Sequence, residues 1–316
     1  TWRTHPERAT ASLRLVLNRR PEPGASVSVT LRHGDQVLAK STTDLLGDDH
    51  PQIELVVPFM RNGQAYDELL WSPEHPTLWT AAIELSVPGG ATDSVSSYLG
   101  FRTVAVRRST FLLNDRPCHL RGVLEQGYWP DSLYTAPGTQ ALRAEVELIK
   151  SLGFNLVRVH QKTEDPRFHY WCDRLGLLVW GETASPYEFS EAGAAALVRE
   201  WTEIVQQYAS HPSIITWVPV NESWGVQHIS HDPAQAALNR ALADLTRALD
   251  PTRPVISNDG WEHTASDLLT IHDYASSPAQ IAARYAGPAE IRELVAGIGP
   301  FGRALTAADP DIGGLP

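Results

Sequence analysis

In the second half of the chain, six apolar runs each lead into acid, amide, imidazole or phenol side chains. "HLRGV" (119–123) is followed by Glu125 and Gln126, "NLVRVH" (155–160) ends at His160, and "GLLVWGE" (176–182) ends at Glu182. "SIITWVPVNE" (213–222) closes on Asn221 and Glu222, "PVISNDG" (254–260) carries Asn258 and Asp259, and "DLLTIHDY" (267–274) ends in His272, Asp273 and Tyr274. Carboxyls beside amides and imidazoles, with no HExxH or paired CxxC spacing, suit proton transfer on an uncharged polar substrate and call for neither metal nor cofactor. Glycoside hydrolysis is such a reaction: one carboxylic acid protonates the leaving oxygen while a second carboxylate attacks the anomeric carbon or activates water. Seven of the ten tryptophans fall between Trp129 and Trp261, and indole faces can stack on sugar rings as readily as they fill cores.

These side chains need a scaffold that brings distant strand ends together. The six runs alternate with helical stretches at Gly138–Leu152, Pro166–Leu175, Ala192–Tyr208, Pro233–Leu249 and Pro278–Tyr285. Strands that are apolar almost throughout and joined by helices predict a parallel sheet buried on both faces. An open doubly wound sheet and most of a (β/α)8 TIM barrel both fit that order, but no glycine-rich phosphate turn is present. Polar groups behind all six strands decide for the barrel, whose chemistry gathers at the C-terminal strand ends. Asp131, Glu164, Asp165 and Asp232 read instead as solvated loop residues or helix N-caps. Upstream, from about Ala9 to Val106, the period is two: "SLRLVL" (12–17), "SVSVTLRHG" (26–34), "QVLAKS" (36–41), "QIELVVP" (52–58), "TAAIELSV" (80–87) and "SVSSYLGFRTVAV" (94–106). That pattern predicts an all-β immunoglobulin-like sandwich over 1–108, followed by an α/β TIM-barrel domain over 109–316 that stops after about six strands.

A formal net charge of −11 repels phosphate backbones, which argues against nucleic acid as a partner. No apolar run is long enough to span a bilayer, so no membrane partner is expected. Cys118 and Cys172 lie far apart among apolar neighbours and read as core residues rather than a disulfide. No leader is visible over Thr1–Thr10, which leaves localisation unknown with the cytoplasm slightly favoured.

Several segments taken together resemble glycoside hydrolase family 2, the family of β-galactosidases, β-glucuronidases and β-mannosidases: "WSPEHPTLW" (71–79), "GFRTVAV" (100–106), "FLLNDRPCHLRGV" (111–123), "LGFNLVRVH" (152–160), "CDRLGLLVWGE" (172–182) and "HPSIITWVPVNESWG" (211–225). The resemblance implies hydrolysis of terminal β-glycosides by retaining double displacement, with Glu222 as acid/base and Asn221 binding the sugar 2-hydroxyl. It also implies that His160 contacts a sugar hydroxyl and that His272 and Tyr274 belong to the sixth-strand region. Glu182 falls on an acidic third-strand position that binds substrate or orients Glu222. Arg158 is expected to point inward and pair with a carboxylate. Trp217 and Trp224 are expected to wall Glu222 and, by desolvating it, to keep its carboxyl protonated. Trp261, after the fifth strand, is a candidate wall of the sugar pocket or, equally, a core residue. In the family the nucleophile is a glutamate ending the seventh strand. Here Glu290 and Glu293 look helical, so the nucleophile is expected beyond the C-terminus of a chain cut at both ends. Two alternatives stand beside this reading: a non-catalytic carbohydrate-binding chain, and an inverting hydrolase with Glu182 as base at the wider carboxyl separation of roughly 6.5–9.5 Å. Open sheet edges in a barrel lacking strands also predict a homo-oligomer.

Overall fold

In the computed structural model, residues 1–61, 66–90 and 92–307 are described. The N-terminal third is two antiparallel sheets face to face. One has the order β1 (Trp2–His5), β2 (Thr10–Arg14), β5 (Gln52–Val56); the other runs β4 (Gln36–Asp44), β3 (Ser26–His33), β6 (Trp79–Ser86), β7 (Asp93–Leu99). Period-two sequence drives this packing: Val27, Val29 and Leu31 of β3 and Trp79, Ala81 and Ile83 of β6 turn inward against Leu13, Ile53 and Leu55, while intervening positions face outward. The expected strand over 94–106 divides at Gly100–Phe101 into β7 and β8 (Val104–Arg107), because Arg102 swings across to the second half. There the Arg102 guanidinium donates to the Pro212 and Ile214 carbonyls at 3.1 and 2.9 Å.

A small meander of β8, β9 (Thr110–Leu113) and β10 (Arg116–Pro117) spans position 108. Its two tight turns place Arg108–Ser109 and Asn114–Asp115 at positive φ, as two-residue hairpins require. Phe111 and Leu113 pack with Trp71 against Leu156, Leu178 and Ile215, near the N-terminal ends of the parallel strands.

The second half opens with four parallel strands in sequence order: β11 (Gly122–Glu125), β12 (Leu156–Val159), β13 (Leu178–Glu182) and β14 (Ile214–Val218). Leu124, Arg158, Trp180 and Thr216 lie in register across them. The short α1 (Tyr66–Leu69) belongs to the sandwich side; α2 (Thr139–Ser151), α3 (Pro166–Leu175), α4 (Glu191–Tyr208) and α5 (Pro233–Leu249) are the crossover helices, followed by α6 (Pro278–Arg284) and α7 (Pro288–Ala296). Leu142, Val146 and Ile149 form the buried stripe of α2. Asp165 and Asp232 cap α3 and α5 by accepting from the Arg167 and Ala234 N–H groups, each ahead of a proline. Glu164 departs from the solvated-loop reading: it is 3% exposed and its carboxylate is 2.6 Å from Lys162 Nζ.

The fifth run follows β14 in parallel, but through the isolated pairings Trp217–Val255 and Asn221–Asp259 rather than a regular strand. The sixth run, 267–274, forms no strand, contrary to expectation. Its would-be neighbour is itself irregular, and its polar groups bond locally: Thr270 Oγ1 accepts from Gly260 N–H at 2.9 Å, and the Thr270 carbonyl lies 2.9 Å from His263 Nε2. Among the described residues the parallel sheet therefore remains open. Both cysteines are free, Cys172 fully buried and Cys118 partly so.

Candidate active site

Glu222 lies in the turn four residues beyond β14. Its N–H donates to the Asp259 carbonyl at 3.0 Å, so the fifth run fixes its backbone. Its side chain is 16% exposed, and Oε1 sits 2.5 Å from His272 Nδ1 and also accepts from the Tyr274 hydroxyl. The far ring nitrogen of His272 is 3.3 Å from Asp259 Oδ2. Burial works to lower the His272 pKa, but contacts with Asp259 and Glu222 prevail and raise it to about 9. Burial pushes the Glu222 carboxyl up; the donors His272 and Tyr274, with the charges of His272 and Arg158, more than reverse this and hold it below the ordinary carboxylate range. The expectation of a carboxyl kept neutral by desolvation is corrected on this point. Trp217 is no wall of Glu222 either: its indole is in the core, edge-on to Trp201, and donates to Asp250 at 2.8 Å.

Arg158 ties the site together from β12, pointing inward to meet carboxylates as the sequence predicts. Its Nε is 2.9 Å from Glu182 Oε2 and 2.8 Å from Asp259 Oδ2, while NH2 donates to Asn221 Oδ1 at 2.6 Å. The Asp259 contacts are held by charge rather than by well-aligned hydrogen bonds, since neither of its oxygens has a partner of good geometry among the described residues. Glu182 is 1% exposed and accepts from Arg158 and from the Gln161 N–H; burial, opposed by Arg158, pushes its carboxyl up to about 7.

Two candidates keep polar atoms for a ligand. Asn221 Nδ2 and His160 Nδ1 are buried and have no partner among the described residues, which for buried polar groups marks places where a ligand or water can bond. Burial and the neighbouring Arg158 lower the His160 pKa, favouring a neutral imidazole able to both donate and accept. Trp224, 38% exposed, lies 5.6 Å from the ring of Tyr187, itself 80% exposed. Trp261 is 4% exposed and stacks on Phe301 at 4.9 Å, with the ring of His272 edge-on to it at 5.9 Å. Phe301, 56% exposed, and Tyr274, 64% exposed, lie 5.2 Å apart and are both open aromatics on that side. Sequence reading missed Phe301 and Tyr187 because each is a lone aromatic in a loop.

Glu125 stands apart from this group. It pairs in register with Val159, whose side chain packs toward the helices. Burial, with Glu145 and Glu164 nearby, raises its carboxyl to about 7. Among the described residues no group of three or more His, Cys, Asp or Glu is arranged to hold a metal ion, and no helix is long and apolar enough to cross a membrane.

The chain is thus a sandwich followed by parallel β/α units, with acidic and aromatic groups gathered beyond the strand ends. Residues 104–284, more than half the chain, match the family model described as the glycosyl hydrolases family 2 TIM barrel domain, and residues 1–102 match that of glycosyl hydrolases family 2. The chain belongs to glycosyl hydrolase family 2. It is 30% identical over 270 residues to "Beta-galactosidase 2" of Enterobacter cloacae, an overlap covering 82% of this chain and 24% of that protein. It is also 30% identical over 215 residues to "Beta-galactosidase" of Psychromonas ingrahamii, covering 65% of this chain and 20% of that one. Among solved structures, the FMN-binding beta-glucuronidase from Facaelibacterium prausnitzii aligns with TM-score 0.73 at 22% identity, over 93% of this chain and 45% of that one. Parabacteroides merdae beta-glucuronidase aligns with TM-score 0.68 at 20% identity, over 81% and 33% of the two chains. The chain thus spans under a quarter of the length of these two curated relatives.

Proposed function

We propose that the protein containing this chain hydrolyses terminal β-glycosides by retaining double displacement, with Glu222 as acid/base and Asn221 and His160 binding sugar hydroxyls. We further propose that a sandwich domain over 1–108 precedes the catalytic barrel domain from 109, and that the attacking carboxylate lies outside the described residues. The single observation that carries the reading is the Glu222 carboxylate, part-exposed at a strand end, 2.5 Å from His272 and next to an amide with a free donor. Glu222 accepts a proton from water in the second displacement, and its ionised form suits that step. In the first displacement it needs a proton, and the charged His272 holds one within direct reach. Transfer from Nδ1 to Oε1 and on to the leaving oxygen leaves His272 neutral; the proton taken from water returns along the same path.

The carboxylates adjoining Glu222, Asp259 and Glu182, are buried against Arg158. That favours retention over an inverting route, because a base for water must reach water and Glu182 is 1% exposed. The relatives' names, beta-galactosidase and beta-glucuronidase, support a β-glycoside as substrate. In the full-length protein Glu222→Gln is expected to abolish turnover of glycosides with poor leaving groups, while activated aryl glycosides still give a burst of released phenol. Equal hydrolysis of both classes would remove Glu222 from the mechanism.

A further inference from the structure

Glu222 and the next residue, Ser223, both have left-handed backbone, φ 48° and 57°, a conformation that L side chains other than glycine disfavour. Unlike the pairs at 108–109 and 114–115, this one has no hairpin turn to account for it, so its surroundings must hold it, and it carries the carboxylate proposed to move protons. The restraints are buried and specific. Ser223 N–H donates to Asn258 Oδ1 at 2.9 Å, and Asn258 Nδ2 donates back to Ser223 Oγ at 2.9 Å. The Ser223 hydroxyl then donates to Glu262 Oε2 at 2.5 Å. Glu262 is 5% exposed, and its other oxygen accepts from Ser230 Oγ at 2.9 Å. Arg303 NH2 donates to Glu262 Oε2 at 2.7 Å and to the Gln227 carbonyl at 2.9 Å. Glu262 therefore grips both ends of segment 223–230, and Arg303 braces it from behind.

We infer that Glu262 is a positioning residue for the reaction: through Ser223 it holds the left-handed turn that aims the Glu222 carboxylate between His272 and Tyr274. Glu262 does not touch that carboxylate. A buried carboxylate with hydroxyl donors on both oxygens and a guanidinium partner fixes direction as well as distance, and an aligned donor to the leaving oxygen loses effectiveness steeply when misplaced. The inference rests on the acid/base reading of Glu222.

The test compares Glu222→Gln, Glu262→Gln, Ser223→Ala and Ser223→Gly in the full-length protein. The substrates are a methyl and a dinitrophenyl β-glycoside of the sugar that the wild type turns over. Methanol needs a proton to leave and dinitrophenolate does not, so only the first substrate reports on aim. Glu262→Gln and Ser223→Ala are each expected to lower kcat on the methyl glycoside by about tenfold or more, with KM within about twofold and the dinitrophenol burst within about threefold. Ser223→Gly is expected to recover part of the loss, because glycine occupies positive φ without help from a hydroxyl. Equal losses on both substrates, or no loss from either Glu262→Gln or Ser223→Ala while Glu222→Gln remains selective, would overturn the inference alone. If Glu222→Gln shows no selectivity, the acid/base reading falls and takes the inference with it.

Discussion

Glu222 is ionised more readily than an ordinary carboxyl because two donors converge on one oxygen, and each donor can be removed singly. Tyr274→Phe deletes the phenol donor with little change of shape. The carboxyl is then expected to move up and hold its proton to higher pH, so the basic limb of the kcat/KM profile, which reports the first displacement, shifts to higher pH. A pH profile of the full-length variant checks this, and a limb that stays or moves toward lower pH contradicts it. Asn221→Ala removes a buried donor available to substrate and leaves Arg158 NH2 without its 2.6 Å partner. A loss of about a hundredfold in kcat/KM is expected, with the larger share in kcat if the bond tightens at the transition state. Asn221, Glu222, Glu182 and His160 were legible as candidates because each ends or follows an apolar strand and the ends of neighbouring strands converge, whereas His272 and Tyr274 meet Glu222 from a run that forms no strand. The charge state of Glu222 was not legible, because it is set by side chains about fifty positions away. Glu262 and Arg303 were invisible for a related reason: single polar residues in loops carry no period.

Four strands and their crossover helices were readable from period and caps alone, because each strand has a regular neighbour on at least one side and each helix a continuous buried stripe. The sixth run has the same apolar character, yet without a regular strand beside it the ladder does not form, and a lone sequence gives no sign of that. At the sandwich, the N-terminal β1 was also missed: four residues with Trp2 as their buried anchor are too short to show alternation. Where β13 and β14 meet, packing leaves no room. A Cβ at Gly181 would stand 2.6 Å from Trp217 Cζ3 and 3.4 Å from Ile214 Cγ2. Gly181→Ala is therefore expected to destabilise by about 1–3 kcal/mol through overpacking. Because Glu182 is the next residue, its carboxylate is displaced from Arg158 as well. Denaturant unfolding of this chain gives the first effect, and an unchanged midpoint would show that Trp217 yields freely.

For the molecule as a whole, the edge strand β11 leaves Leu124 51% exposed beside an open sheet, and self-association in light scattering is the expected behaviour of the 316-residue chain. Its stability should also have a direction in pH. Glu125, Glu145 and Glu182 are raised to about 7, chiefly by burial, so between an ordinary carboxyl pKa near 4.5 and about 7 the folded chain keeps protons that the unfolded chain has released. His272 is raised to about 9 against an ordinary 6.5, so its stabilising charge is fully present below 6.5 and lost as pH rises through about 9. In all four cases the native state binds more protons than the unfolded state, so stability falls with rising pH, first across the carboxyl window and then across that of the imidazole. Asp250 and Asp259, held far below the ordinary range against burial by Arg253, Arg158 and His272, work oppositely, and their contribution is lost only as pH falls below about 4. His160, His169, His263 and the Thr1 amino group, all held below their ordinary values chiefly by burial, work oppositely and gain stability as pH rises, so the fall assigned to His272 is read as a difference between wild type and His272→Gln. The wild-type melting temperature is expected to fall relative to that of His272→Gln as pH rises from 6.5 to 9, and a difference that stays constant or grows in the wild type's favour across that window would contradict the raised imidazole.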